Sequence, residues 1–151
     1  LRKTVIIGLG NILLRDEGVG SWIAQELQKR RLPSQVEVID AGTTSPDALL
    51  AEGNIKKVVI VDALKGNGEP GALYRIPFNQ LLSSQDFPLS LHQFGLLHSL
   101  WFTPGCEEIV VMGVEPEEIS WGWGLSENIK KKLPEITDLI LKEVNYAGNG
   151  I

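Results

Sequence analysis

"GLGNILLRDEGVG", residues 8–20, follows the apolar run Thr4 to Ile7 and opens an amphipathic stretch. A strand entering a glycine-rich turn and then a helix is the start of a β-α-β unit, so its reading decides between a nucleotide fold and another α/β protein. A dinucleotide fingerprint needs a third glycine three positions after the second, where helix packs closely on strand; that position here is Leu13. A phosphate loop of the Lys-Ser/Thr type is missing too. Asp16 and Glu17 lie near the helix start, where the helix dipole favours a carboxylate but where two acids would repel a pyrophosphate.

Outward from this turn, Val19, Trp22, Ile23 and Leu27 recur at helical spacing and place one apolar stripe on a helix from about 18 to 31. Runs rich in β-branched residues at 4–7, 36–39, 58–61 and 109–112 read as buried strands of a parallel sheet. "KGNGEPG" at 65–71 is turn chemistry leading to an antiparallel or edge strand near 72–76. "TTSPDALLAEG" predicts a loop and a short proline-started helix, and 92–102 a further helix. Ile129, Leu133, Ile136, Ile140 and Val144 space as a C-terminal amphipathic helix, which Pro134 is expected to kink or restart. The expected fold is a single domain over residues 1–151. It is a three-layer α/β/α sandwich around a mostly parallel twisted sheet with one antiparallel strand.

Composition narrows the function classes. With 151 residues, 43% hydrophobic and 22% charged, the chain has an ordinary globular composition. A formal charge of -5 gives no electrostatic reason to expect nucleic acid or an anionic membrane. The run Lys130 to Lys132 reads as a solvated helix face. No apolar stretch approaches the roughly 18 residues of a membrane span, and the first residues enter a strand directly, so no signal peptide is expected. A lone cysteine, Cys106, forms no internal disulfide and no zinc pattern, which suits a reducing, cytoplasmic setting.

Ligands in such sheets gather at the carboxyl ends of the strands. Asp40 closes the second strand run in "EVIDAGT" and Asp62 the third in "VIVDALK". Each could equally cap the turn that follows. His92, after Pro88 in "FPLSLHQFGL", reads alone as a cap or packed residue. Together, Glu17, Asp62 and His92 supply two carboxylates and an imidazole, a set suited to a divalent transition metal with open positions. His98 lies six residues after His92, off its helical face, and reads as packing or surface. Ser45 and Ser90 lack a nucleophile elbow. Trp121 and Trp123 flank Gly122, as groove lining or as core, and no cofactor-binding residue is expected.

These residues fall into a pattern. "GLGNILLRDEGVG", "DAGT" at 40–43, "IVDA" at 60–63, "HQFGL" at 92–96, "GVEP" at 113–116 and "GLS" at 124–126 occur in order over nearly the whole chain. In this the chain resembles the [NiFe]-hydrogenase maturation endopeptidases, which trim the C-terminus of the hydrogenase large subunit. The resemblance implies a cytoplasmic protease whose partner is the nickel-loaded large-subunit precursor. It matches Glu17, Asp62 and His92 to the family's metal ligands, and Asp40, Gly42 and Thr43 to a loop linked to cleavage. Ala41 stands where many relatives have glycine and is expected to stiffen that loop.

Two versions of the chemistry follow. A metal held by Glu17, Asp62 and His92 activates water, with Asp40 as candidate general base, so that Glu17, Asp62 and Asp40 form the catalytic set. Alternatively the metal is the nickel of the substrate, with zinc or cadmium substituting in vitro, and the three ligands form its receptor. The rival class is a non-catalytic module that senses nickel in the precursor.

Overall fold

The computed structural model describes residues 2–44, 53–83 and 106–149. Strand β1 spans Lys3–Leu9, and a 3-10 turn at Arg15–Gly18 leads directly into helix α1, Val19–Gln28. Strands β2 (Val36–Gly42), β3 (Ile55–Ala63) and β4 (Leu73–Pro77) follow, then the short helix α2 (Phe78–Ser83), strand β5 (Glu108–Val114) and helix α3 (Glu127–Asn149). All four expected parallel strands are present and longer at both ends or at one. Among the described residues the sheet order is β2-β1-β3-β5-β4, with only β4 antiparallel, on β5 at the sheet edge. The helices expected within 45–52 and 92–102 lie outside the described residues.

Alternation along each strand divides the core in two. Ile6, Val59, Val61, Val110, Met112 and Val114 face α1 and α3, meeting Val19, Ile23, Leu27, Ile129, Ile136 and Ile140. Val5, Ile7, Leu9, Val58, Ile60 and Val111 line the other face, against which Phe78 at the head of α2 packs. The helical stripes read from the sequence are thus the buried ones. Two boundaries differ. Helix α1 stops at Gln28, because Lys29 and Arg30 turn back to the carbonyls of Glu26 and Leu27. Helix α3 runs through Pro134 as one element instead of restarting. The carbonyl of Lys130 that loses its amide partner there lies on the exposed side, where water can replace the bond.

The glycines of the first turn serve packing. A methyl group on Gly20 would lie 2.1 Å from the Val61 carbonyl oxygen and 2.2 Å from that of Leu9. One on Gly8 would lie 2.2 Å from the carbonyl oxygen of Gly20. Helix α1 therefore rests backbone on backbone against the ends of β1 and β3. Leu13, at the position a dinucleotide loop gives to glycine, points to solvent.

Candidate active site at the carboxyl edge of the sheet

Asn11 begins the loop after β1 with an Asx turn, its side-chain oxygen accepting the Leu13 N–H at 2.9 Å while its carbonyl accepts that of Leu14 at 3.0 Å. Arg15 adopts a left-handed φ of 53°, and the chain enters the 3-10 turn that carries Asp16 and Glu17. Glu17, half-buried, folds back so that its carboxylate accepts the backbone N–H of Asn11. The turn packs against the end of β3, which bears Asp62. Asp62 is 5% exposed, and its Oδ1 accepts the N–H of Ala63 at 2.8 Å. Glu17 and Asp62 thus belong to the same sheet edge, each tied to a main-chain donor.

Asp40 is placed differently. It pairs with Gly8 of β1, whose other neighbour is Val61 of β3. Two strand spacings separate Asp40 from β3, roughly 10 Å. Val36 and Val38 pack on the α1 side, and Asp40 shares their side of β2; Val58, Ile60 and Leu64, in step with Asp62, pack on the other. The two aspartates therefore leave opposite faces of the sheet. Asp40 is exposed and held by α1, accepting the Ser21 hydroxyl on Oδ1 and the Gln25 amide on Oδ2 at 3.1 Å.

The "DAGT" segment contains a β-bulge. Gly8 pairs with Asp40, but Leu9 pairs with Gly42, leaving Ala41 as the extra residue. Gly42 supplies the positive φ, 56°, and accepts the Gly10 N–H at 2.9 Å. The Ala41 methyl is buried in the core, and its carbonyl accepts both the N–H and the hydroxyl of Thr44. Ala41 is a packing residue here as well as a stiffer one than glycine.

His92 and the helix expected around it lie outside the described residues, as do His98, Ser45, Ser90 and Trp101. Among the described residues no group of three His, Cys, Asp or Glu side chains forms a metal cluster; of the three expected ligands, Glu17 and Asp62 lie within the described residues. Cys106 precedes β5, at the opposite end of the sheet from this edge, and burial pushes its thiol pKa up. Trp121 and Trp123, open between groove and core in the sequence, are exposed.

Two buried acids escaped the sequence reading. Asp16 is 0% exposed and accepts four hydrogen bonds: the N–H groups of Glu117 and Glu118, both at 2.9 Å, and the N–H and hydroxyl of Ser126 at 2.8 and 2.7 Å. Glu115 gathers the turn of 66–68, its Oε1 accepting from Gly66, Gly68 and the Tyr74 hydroxyl. That hydroxyl is pushed up in pKa by its own burial and by the Glu115 carboxylate. The signal was available in "GVEP" and "GLS", which hold Glu115 and Ser126.

The family model described as hydrogenase maturation protease (HycI) matches residues 22–143. The chain belongs to the hydrogenase maturation protease family. A putative hydrogenase maturation protease of Methanocaldococcus jannaschii is 32% identical over 95% of this chain and 97% of its own length. The hydrogenase 2 maturation protease of Escherichia coli is 28% identical over 97% and 93%. The solved structure of the hydrogenase maturating endopeptidase HybD from E. coli superposes with a TM-score of 0.82 at 27% identity, covering 97% of this chain and 94% of the other. This maturation protease is therefore an endopeptidase that shares the fold of its relatives, its described residues forming a five-stranded, mostly parallel sheet.

Proposed function

We propose that this endopeptidase removes the C-terminal extension of a nickel-loaded [NiFe]-hydrogenase large-subunit precursor, and that the nickel it meets is the substrate's own. The observation that carries this reading is that the turn bearing Glu17 packs against β3, the strand that bears Asp62, at one sheet edge in a chain of this family. Two carboxylates at one edge favour a cation, and a metal arriving with the substrate supplies it. The donor chemistry fits a borderline divalent ion, with His92 as the third member. When bound, such an ion polarises a nearby carbonyl and stabilises negative charge on it.

The distance between the two acids has a reading of its own. A short extended stretch of precursor, about three residues at roughly 3.3 Å each, spans from Asp62 across the end of β1 to Asp40. Asp40 then stands beside a peptide bond a few residues from the nickel, placed to take a proton from the attacking water. Recognition and cleavage are divided between two faces of one sheet. Among the described residues no helix is long and apolar enough to cross a membrane. The precursor as partner and the lone Cys106 support a cytoplasmic setting.

The test is mass spectrometry of the precursor, nickel-loaded and nickel-free, after incubation with this protein. Loss of one defined C-terminal peptide from the nickel-loaded form alone is expected. Cleavage of both forms would overturn substrate nickel as the recognition element. Binding of the nickel-loaded form without cleavage would instead make the chain a sensor.

A further inference from the structure

Leu13, Trp121 and Trp123 are 49%, 80% and 62% exposed, large apolar side chains presented to water. Single exposed apolar residues are ordinary, but adjoining ones that include two tryptophans mark an interaction surface. They adjoin because residues 13–15 and 121–123 run side by side: the Gly122 N–H donates to the Leu13 carbonyl at 2.9 Å and the Arg15 N–H to the Gly122 carbonyl at 3.2 Å. Trp123 is braced edge-to-face on Trp22 of α1, ring centroids 5.5 Å apart. The Arg15 guanidinium lies beneath Gly122 and donates to the Trp123 carbonyl at 3.1 Å. The backbone of 121–123 and the Trp123 ring are thus preorganised, as anchoring residues at interfaces are.

We infer that this surface docks the precursor polypeptide, through an apolar segment flanked by basic side chains. The inference rests on the function proposed above. Position supports it: Leu13 and Arg15 belong to the loop that carries Glu17, and Asp16 fastens that loop to Glu117, Glu118 and Ser126 on either side of the tryptophans. A chain lying across Trp121 and Trp123 is therefore held beside Glu17. Charge selects the occupant. Glu117 and Glu118 are exposed and form no ion pair among the described residues, in a protein of net charge -5. A second copy would set the same acids against each other, whereas a basic flank on the precursor would meet them favourably.

Initial rates of processing are measured against precursor concentration for the wild type, for the double variant Trp121→Ser with Trp123→Ser, and for Leu139→Ser, an exposed apolar position on α3. Folding of each is checked by circular dichroism. The double variant is expected to raise KM about tenfold or more with kcat changed far less, as loss of a buried aromatic anchor does. Leu139→Ser leaves KM unchanged, and added salt raises the wild-type KM. An unchanged KM in the folded double variant overturns the docking surface while leaving the protease intact. Should the wild type fail to cleave, the proposed function fails, and direct titration of the precursor onto wild type and double variant still decides docking: equal affinity overturns it. A wild-type dimer that the double variant dissociates, seen by sedimentation, overturns it in favour of self-association.

Discussion

Ser126 gives both its backbone N–H and its hydroxyl to the buried carboxylate of Asp16, at 2.8 and 2.7 Å. The neighbouring acid, Glu17, belongs to the candidate site, so two adjacent carboxylates divide into a fastener and a proposed ligand. Asp16→Asn puts an amide NH2 among four donors and leaves some of them unpaired. The expected loss is about 2–4 kcal/mol of stability, read as a lowered urea midpoint. Ser126→Ala removes one of the four bonds and costs about 1 kcal/mol.

Glu17→Gln keeps the shape of the side chain and removes its charge. The expected outcome is loss of processing and weakened capture of the nickel-loaded precursor, with the urea midpoint nearly unchanged because Glu17 is only half-buried. Titration calorimetry with loaded and unloaded precursor checks this, and normal cleavage by the variant would remove Glu17 from the ligand set.

Asp40 stands on the α1 side with Ser21 and Gln25, away from Asp62. Asp40→Asn is expected to slow cleavage by about a hundredfold or more, the usual contribution of a general base, while precursor affinity stays within twofold. Equal loss of affinity and rate in single-turnover experiments would make Asp40 structural.

Gly20 has no room for a side chain, since the atoms in its way are all main-chain: the Val61 and Leu9 carbonyl oxygens and the Leu9 nitrogen. Gly20→Ala forces α1 off β1 and β3 and is expected to cost about 3 kcal/mol or more. Gly53→Ala is the matched comparison: its φ of 76° disfavours a side chain but nothing lies within 4 Å, so a cost of about 1 kcal/mol is expected. Denaturant midpoints of the two variants order these effects.

At the other end of the sheet, Lys57 is 2% exposed and bonded to Glu143, which also receives Arg75. The bond from Arg75, against the opposing effect of burial and with further help from Lys57, holds the Glu143 carboxyl below its usual range. The unfolded chain then binds more protons than the folded one as pH falls below about 5, so the stability from this group is full above that range and is lost on acidification through its lowered folded value. Glu143→Gln should lower stability at pH 7 by about 2–4 kcal/mol, because it leaves the buried Lys57 to its longer ion pairing with the half-exposed Glu108, at 3.4 Å. It should also flatten this acid-side decline, which urea titrations from pH 3 to 7 would show.

The strands were legible because buried parallel strands are continuous apolar runs, and Val58 to Val61 could be little else. The stripe of Ile129, Ile136 and Ile140 was legible for the same reason of period. Of the two outcomes expected at Pro134, a kink or a restart, the restart does not occur: a sequence shows the missing donor but not that Lys130, whose carbonyl loses it, is exposed. Asp16 and Glu17 were indistinguishable side by side, since their separation depends on donors more than a hundred residues away. The strand ends located Asp40 and Asp62, but which face each leaves depends on the register and on the bulge at Ala41. Lys57 could have been suspected from parity, as it shares a face with Val59 and Val61.

The bonds between Asp16 and residues 117, 118 and 126 also set a schedule. The loop that carries Glu17 emerges early from the ribosome, yet the donors that fasten it emerge only after most of the chain has been made. A nascent or C-terminally shortened chain ending before Glu117 has the candidate ligands but no fastened loop to hold them. The protease is in that sense assembled last at the place where it begins.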